Sequence, residues 1–105
     1  MKKIDNNPMN IFKKEAPEVA KAFDGLIWSL VKSKGLDEKT KQLIYIAMKA
    51  SQGDTTAISF HVLMAKKLGA TKEEIVDAIL MTLTVSGIKG VVTCLPTAIE
   101  IYSKT

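Results

Sequence analysis

The sequence predicts an all-α fold: a compact bundle of five to six helices that associates with further copies of itself. Three observations carry this. No window alternates apolar and polar residues as a strand does, whereas long windows repeat apolar residues at spacings of three and four. The interruptions between those windows are brief, so successive helices should pack antiparallel. Hydrophobic residues make up 47% of the 105 residues, and a domain this small leaves much of its surface exposed. Part of that apolar content is therefore expected to lie between subunits.

The chain reads as one domain over residues 1–105. Residues 1–9 read as an irregular leader containing Asn6, Asn7 and Pro8, and a short helix is expected over Ile11 to Glu15. Pro17 suits the first turn of the next helix, because its missing N–H would have no partner there. That helix is expected to reach Lys34. Its apolar residues Val19, Phe23, Leu26, Ile27 and Leu30 recur with helical spacing, and Gly35 is the expected stop. Asp37 can cap a third helix over Glu38 to Ser51. After Gly53, Asp54 can cap a fourth that runs to Leu68, with Gly69 closing it. Thr71 and Glu74 form a capping box, which starts a fifth helix expected to continue to Val85. Ser86 and Gly87 make a break. A sixth segment, Ile88 to Ser103, contains Pro96, where a kink or restart is expected because proline removes a hydrogen bond and clashes with the preceding turn. The fourth and fifth helices carry AISFHVLMA and IVDAILMTLTV, apolar on more than one face, as helices buried on several sides are.

Composition narrows the functional classes. All 15 basic residues are lysine and the net charge is +4. Arginine is the preferred reader of phosphates and guanine edges, so no nucleic-acid partner is expected. Pairs such as Lys66 and Lys67 fall where helices end and favour the C-terminal dipole. Lys2, Lys3, Lys13 and Lys14 form the only basic concentration, on a solvated N-terminal arm. No apolar run approaches the roughly 18–20 residues of a membrane span, and the N-terminal lysines lack the apolar region of a signal peptide. No membrane partner and a cytoplasmic location are therefore expected. One cysteine, Cys94, and one histidine, His61, cannot make an intrachain disulfide or fill a zinc shell. Neither a metal nor a cofactor is expected.

The order of features is then specific. A helix carrying KTKQLIYIAMKASQG leads through a glycine turn into a helix with a central His61. LGATKEEIVDAIL follows, and then the small-residue break SGIKG. This resembles the carboxymuconolactone decarboxylase family, which includes the alkylhydroperoxidase D-like proteins, over about residues 36–102. The resemblance implies a compact alkylhydroperoxidase D-like helical bundle assembled as a homotrimer or homohexamer. The family's redox branch carries a Glu, then Cys-x-x-Cys and, four residues on, a His. Laid on this chain, the Glu position is Gln42, the two cysteine positions are Asp54 and Ala57, and the His position is His61. Asp54 and Ala57 cannot form a disulfide, so thiol peroxidase chemistry is disfavoured, and a peroxiredoxin role would rest on the family label alone. The decarboxylase branch lacks the cysteine pair and keeps the His. A lyase of that kind should need cations to hold carboxylates, yet the chain has no arginine and the expected pocket segments have few lysines.

Asp54, Ala57, His61, Met64 and Leu68 share one stripe of the fourth helix. The stripe supports two readings of His61. One is a buried neutral ring bonded to a carbonyl or neighbouring side chain. The other is a general acid or base with a pKa near neutrality. Gln42 could orient the ring across the helix pair. Asp54, Ala57 and Met64 are the candidate substrate-binding residues, although Asp54 is first of all an N-cap. Two helical turns, about 10 Å, separate Asp54 from His61, too far for a direct bond. The expected function is proton transfer by His61 on a small organic molecule in an apolar pocket. The alternative is a non-catalytic ligand-binding or scaffold homo-oligomer. Cys94 is expected to be a small buried hydrophobe.

Overall fold

A computed structural model of the chain describes residues 6–105. The described residues are helical and connecting segments with no strand. No helix among them is long and apolar enough to cross a membrane. Lys2 and Lys3 lie outside the described residues. The chain divides into two compact units, with the boundary after Gly35.

The first unit is a helix pair, α1 (Pro8–Glu15) and α2 (Pro17–Lys32). The irregular leader expected over residues 1–9 does not reach residue 9, because α1 begins at Pro8, and its first five residues lie outside the described residues. Asn7 caps α1 by accepting from the Met9 N–H at 2.9 Å, and Pro8 occupies the first turn. What reads as a loop signal is thus a cap followed by an N-terminal proline, the pair that starts a helix. The helix α2 ends at Lys32, two residues early, with Ser33 as its C-cap rather than Gly35. Phe12 meets Phe23 edge-on, ring centroids 5.9 Å apart. Most of the α2 apolar side chains stay accessible, Val19 at 62% and Trp28 at 59%. The Lys32 ammonium lies over the Trp28 ring, 5.3 Å from its centroid.

The second unit contains α3 (Glu38–Gln52), α4 (Thr55–Lys67), α5 (Lys72–Leu80), the single turn α6 (Leu83–Ser86) and α7 (Lys89–Lys104). The helix α3 packs on α4, α5 and α7, and α7 also packs on α4, α5 and α6. Ile46, Ile58, Val62, Ile75 and Ile79 fill the core between them, together with Cys94. Caps set the helix starts. Asp37 accepts from the Thr40 N–H at 2.7 Å, and Thr71 and Glu74 exchange both bonds of the capping box. Gly53, at φ 71°, closes α3 in the left-handed conformation, which costs glycine little. The next N–H, of Asp54, then reaches back to the Lys49 carbonyl at 3.0 Å. This is a Schellman closure that runs directly into the α4 cap.

Two expectations for the C-terminal half are corrected. The helix α5 stops at Leu80 rather than Val85. Buried Thr82 turns its hydroxyl onto the Ile79 carbonyl at 2.6 Å, and such side-chain bonding competes with the helical ladder. The helix α7 does not restart at Pro96, which lies inside one continuous helix. Proline leaves the carbonyl four residues back, that of Val92, without its helical donor.

At Gly90 α7 and the end of α3 approach closely. A Cβ there would lie 2.6 Å from the Ala50 carbonyl oxygen and 2.9 Å from the Thr82 hydroxyl. The backbones meet because residue 90 has no side chain. Helix propensity alone favours alanine over glycine by about 1 kcal/mol. Gly90→Ala is nonetheless expected to destabilise the chain by roughly 1–3 kcal/mol, the usual result of overpacking. Urea unfolding followed by circular dichroism measures this, and unchanged or higher stability would contradict the packing account.

Candidate functional site

The α3–α4 hairpin builds the candidate site. Asp54 accepts from the Ala57 N–H at 3.0 Å and so begins α4. His61 then sits two turns into α4, opposite the first half of α3. Its Nδ1 and the Gln42 Oε1 are 2.8 Å apart. An amide oxygen only accepts, so the imidazole donates from Nδ1 and its remaining lone pair is on Nε2. Among the described residues Nε2 has no hydrogen-bond partner. Tyr45, one turn beyond Gln42 on α3, stacks on the ring at 4.9 Å between centroids and 13° between planes. Phe60 approaches edge-on at 5.3 Å.

His61 is half-buried, as are Asp54, Ala57, Met64 and Leu68 on the same stripe. The fully buried residues of α4 are Ile58, Val62 and Ala65. The stripe therefore borders the core rather than belonging to it, and His61 has the side-chain bond of the first reading while part of its ring stays accessible, as the second needs.

The ring's electrostatics follow from these surroundings. Burial lowers the His61 pKa below its ordinary 6.5, the Lys49 charge lowers it further, and the Asp54 charge opposes them. Lys49 also lies on α3. Its ammonium is 3.8 Å from the Asp54 carboxylate and donates to the Gln52 side-chain Oε1 at 3.4 Å. Asp54 makes no direct bond to His61 and acts on it through charge. The stem of Lys89 passes beside Gly53. Cys94 is a free thiol buried in the core, and burial and the Asp54 charge push its pKa up. A thiol so held is a poor nucleophile. Among the described residues no three His, Cys, Asp or Glu side chains converge as a metal site would require.

Gln42 and His61 thus meet, Asp54 acts on the ring through charge alone, and Ala57 and Met64 lie along the same stripe. Tyr45, Lys49 and Phe60 escaped the sequence reading. Gln42, Tyr45 and Lys49 are spaced three and four apart, which places them on one face of α3. That spacing, counted from Gln42, was the signal available. A separate apolar groove of about 600 Å³ runs between α3 and α5, lined by Leu43, Ile44, Ala47, Ala78, Leu80 and Met81 among others.

The model of the carboxymuconolactone decarboxylase family matches residues 17–100. The chain belongs to this family. The match reaches further toward the N-terminus than the expected residues 36–102 and takes in α2. A crystal structure of apo-lpg0406, a carboxymuconolactone decarboxylase family protein from Legionella pneumophila, superposes with a TM-score of 0.81 at 30% identity. The superposition covers 91% of this chain and 85% of that one. The uncharacterized protein MJ0742 of Methanocaldococcus jannaschii is 38% identical over 80 residues, 75% of this chain and 77% of its own length. MJ1511 of the same organism, also uncharacterized, is 35% identical over 69 residues, 66% of this chain and 64% of its own.

The charges around His61 predict opposite responses to two substitutions. Lys49→Met removes the repelling cation and should raise the His61 pKa. Asp54→Asn keeps a capping side chain but removes the attracting anion, and should lower it. A base whose folded pKa is depressed binds fewer protons in the native state. Its contribution to stability is therefore lost as pH falls below 6.5 toward the folded value. Lys49→Met should weaken that acid-side loss. NMR titration of the single histidine reads both shifts, and shifts of the same sign in both variants would contradict this arrangement.

Proposed function

We propose that this family member is a small-molecule enzyme that works by proton transfer through His61, without thiol redox chemistry. The observation that carries the reading is the division of labour on the imidazole. Nδ1 is committed to Gln42, while Nε2 is left to exchange a proton. The depressed pKa keeps Nε2 in its basic form at neutral pH, the state a general base needs. Lys49 supplies the cation that the sequence reading lacked, close enough for its charge to act on His61, and it can hold an acidic group of a ligand. Ala57 and Met64 form the apolar side of the ligand site, with Asp54 setting the local charge. The reaction is of the decarboxylase or lyase kind, on a small organic acid or lactone.

A homotrimer or homohexamer is proposed as the working form, in the cytoplasm, without nucleic-acid or membrane partners. Exposed apolar residues support self-association. Met81 is 67% exposed, Val85 82% and Val92 66%, and isolated domains rarely leave so many large apolar side chains in water. The same feature supports the second reading, a non-catalytic ligand-binding or scaffold oligomer. A peroxidase role has only the family label behind it, because Asp54 and Ala57 stand where a cysteine pair would be needed.

Titrating candidate lactones and keto acids while recording His61 by NMR tests the reading. A ligand that turns over should perturb the ring, and His61→Gln should lower its turnover by about 10²-fold or more. A ring that no ligand perturbs would favour the scaffold. Thiol-dependent peroxide reduction that persists in Cys94→Ser would overturn the exclusion of redox chemistry. A stable monomer at micromolar concentration in sedimentation would refute the assembly.

A further inference from the structure

The site contains a residue to which the family pattern gives no role. We infer that Tyr45 is a positioning residue, whose ring fixes the plane of the His61 imidazole so that the Gln42 bond can select one tautomer and aim Nε2. The inference rests on the proton-transfer reading only for its purpose, because the geometry concerns the resting ring.

Two constraints are needed to place an imidazole, and each leaves a different freedom. A hydrogen bond at Nδ1 distinguishes the two orientations related by a half-turn about the Cβ–Cγ bond. It still tolerates tilting of the ring, since the hydrogen-bond angle is soft above about 150°. A face-to-face contact fixes the plane but not the half-turn, which leaves the plane unchanged. Gln42 supplies the first constraint at 2.8 Å, and Tyr45 the second at 4.9 Å and 13°. Both project from one face of α3, so a single rigid helix sets both. Phe60, edge-on at 77°, closes the ring's flank from α4 itself. With plane and half-turn both set, Nε2 has one direction. The contact uses the phenol ring and not its hydroxyl, so phenylalanine should replace tyrosine without loss, whereas an aliphatic chain of similar size should not.

The single histidine makes the test direct. Uniform ¹⁵N labelling and long-range proton–nitrogen correlation distinguish a protonated from an unprotonated ring nitrogen. The wild-type chain is expected to show one tautomer, protonated at Nδ1, and Tyr45→Phe the same. Tyr45→Leu and Tyr45→Met should lose this signature, both nitrogens moving to averaged shifts, with an upward shift in the titration midpoint as the ring gains solvent. Two aliphatic variants are used because one of them could misfold, which circular dichroism would reveal. A folded aliphatic variant that keeps the pure Nδ1–H signature and the wild-type titration overturns the inference, as does a mixed tautomer in the wild-type chain. None of these readouts depends on turnover. A fixed tautomer that no ligand perturbs would leave Tyr45 in its role while removing the enzymatic reading.

Discussion

The hydrogen bond between Gln42 and His61 depends on how α3 turns into α4, and the functional reading depends on that bond. Gly53 in the left-handed conformation ends α3, and Asp54 both closes it and caps α4. Three consecutive events at this corner fix the angle and register of the hairpin. A single residue inserted there would rotate His61 by about 100° around its helix, away from Gln42. The corner is itself held from below by α7, whose Gly90 lets its backbone reach the Ala50 carbonyl. Backbone geometry at two glycines therefore determines where an imidazole nitrogen points.

What the hairpin presents is a base, not a redox couple. In this family's redox branch the positions of Asp54 and Ala57 carry thiols and that of Gln42 a carboxylate. Here the corresponding side chains are a carboxylate that serves as a cap, a methyl group and a neutral amide. An amide can hold the ring but cannot share its proton, so Gln42 leaves the imidazole neutral where a carboxylate would favour the imidazolium. Burial and the nearby Lys49 push the same way. The arrangement consistently favours an unprotonated Nε2, the protonation state that the proposed proton abstraction would use.

Local signals were legible in the sequence and long-range ones were not. The caps at Asp37, Asp54 and Thr71 could be read because each acts within one turn. The pairing of Gln42 with His61 could be read because the family pattern aligns both positions. The early end of α5 could not, because it depends on buried Thr82, whose hydroxyl sits within reach of Gly90 on another helix. At Pro96 only the restart is excluded, because the helix runs on through it, and how a helix accommodates a proline depends on the surrounding fold. Asn7 and Pro8 suit a loop as well as a helix start, and only the helix that follows them decides between the two. Lys49 and Tyr45 carry no local signal because they are ordinary residues for a helix, and only the ring across the interface gives them a role.

Replacing Gln42 with glutamate tests the central bond most directly, since the side chain keeps its length and gains a charge. If Nδ1–H donates to residue 42 as described, a carboxylate there stabilises the imidazolium, and the His61 midpoint in an NMR titration should rise above that of the wild-type chain. A midpoint that stays where it was, in a folded variant, would mean that the two side chains do not meet. The imidazole would then have no fixed direction, and the account built on it would fail.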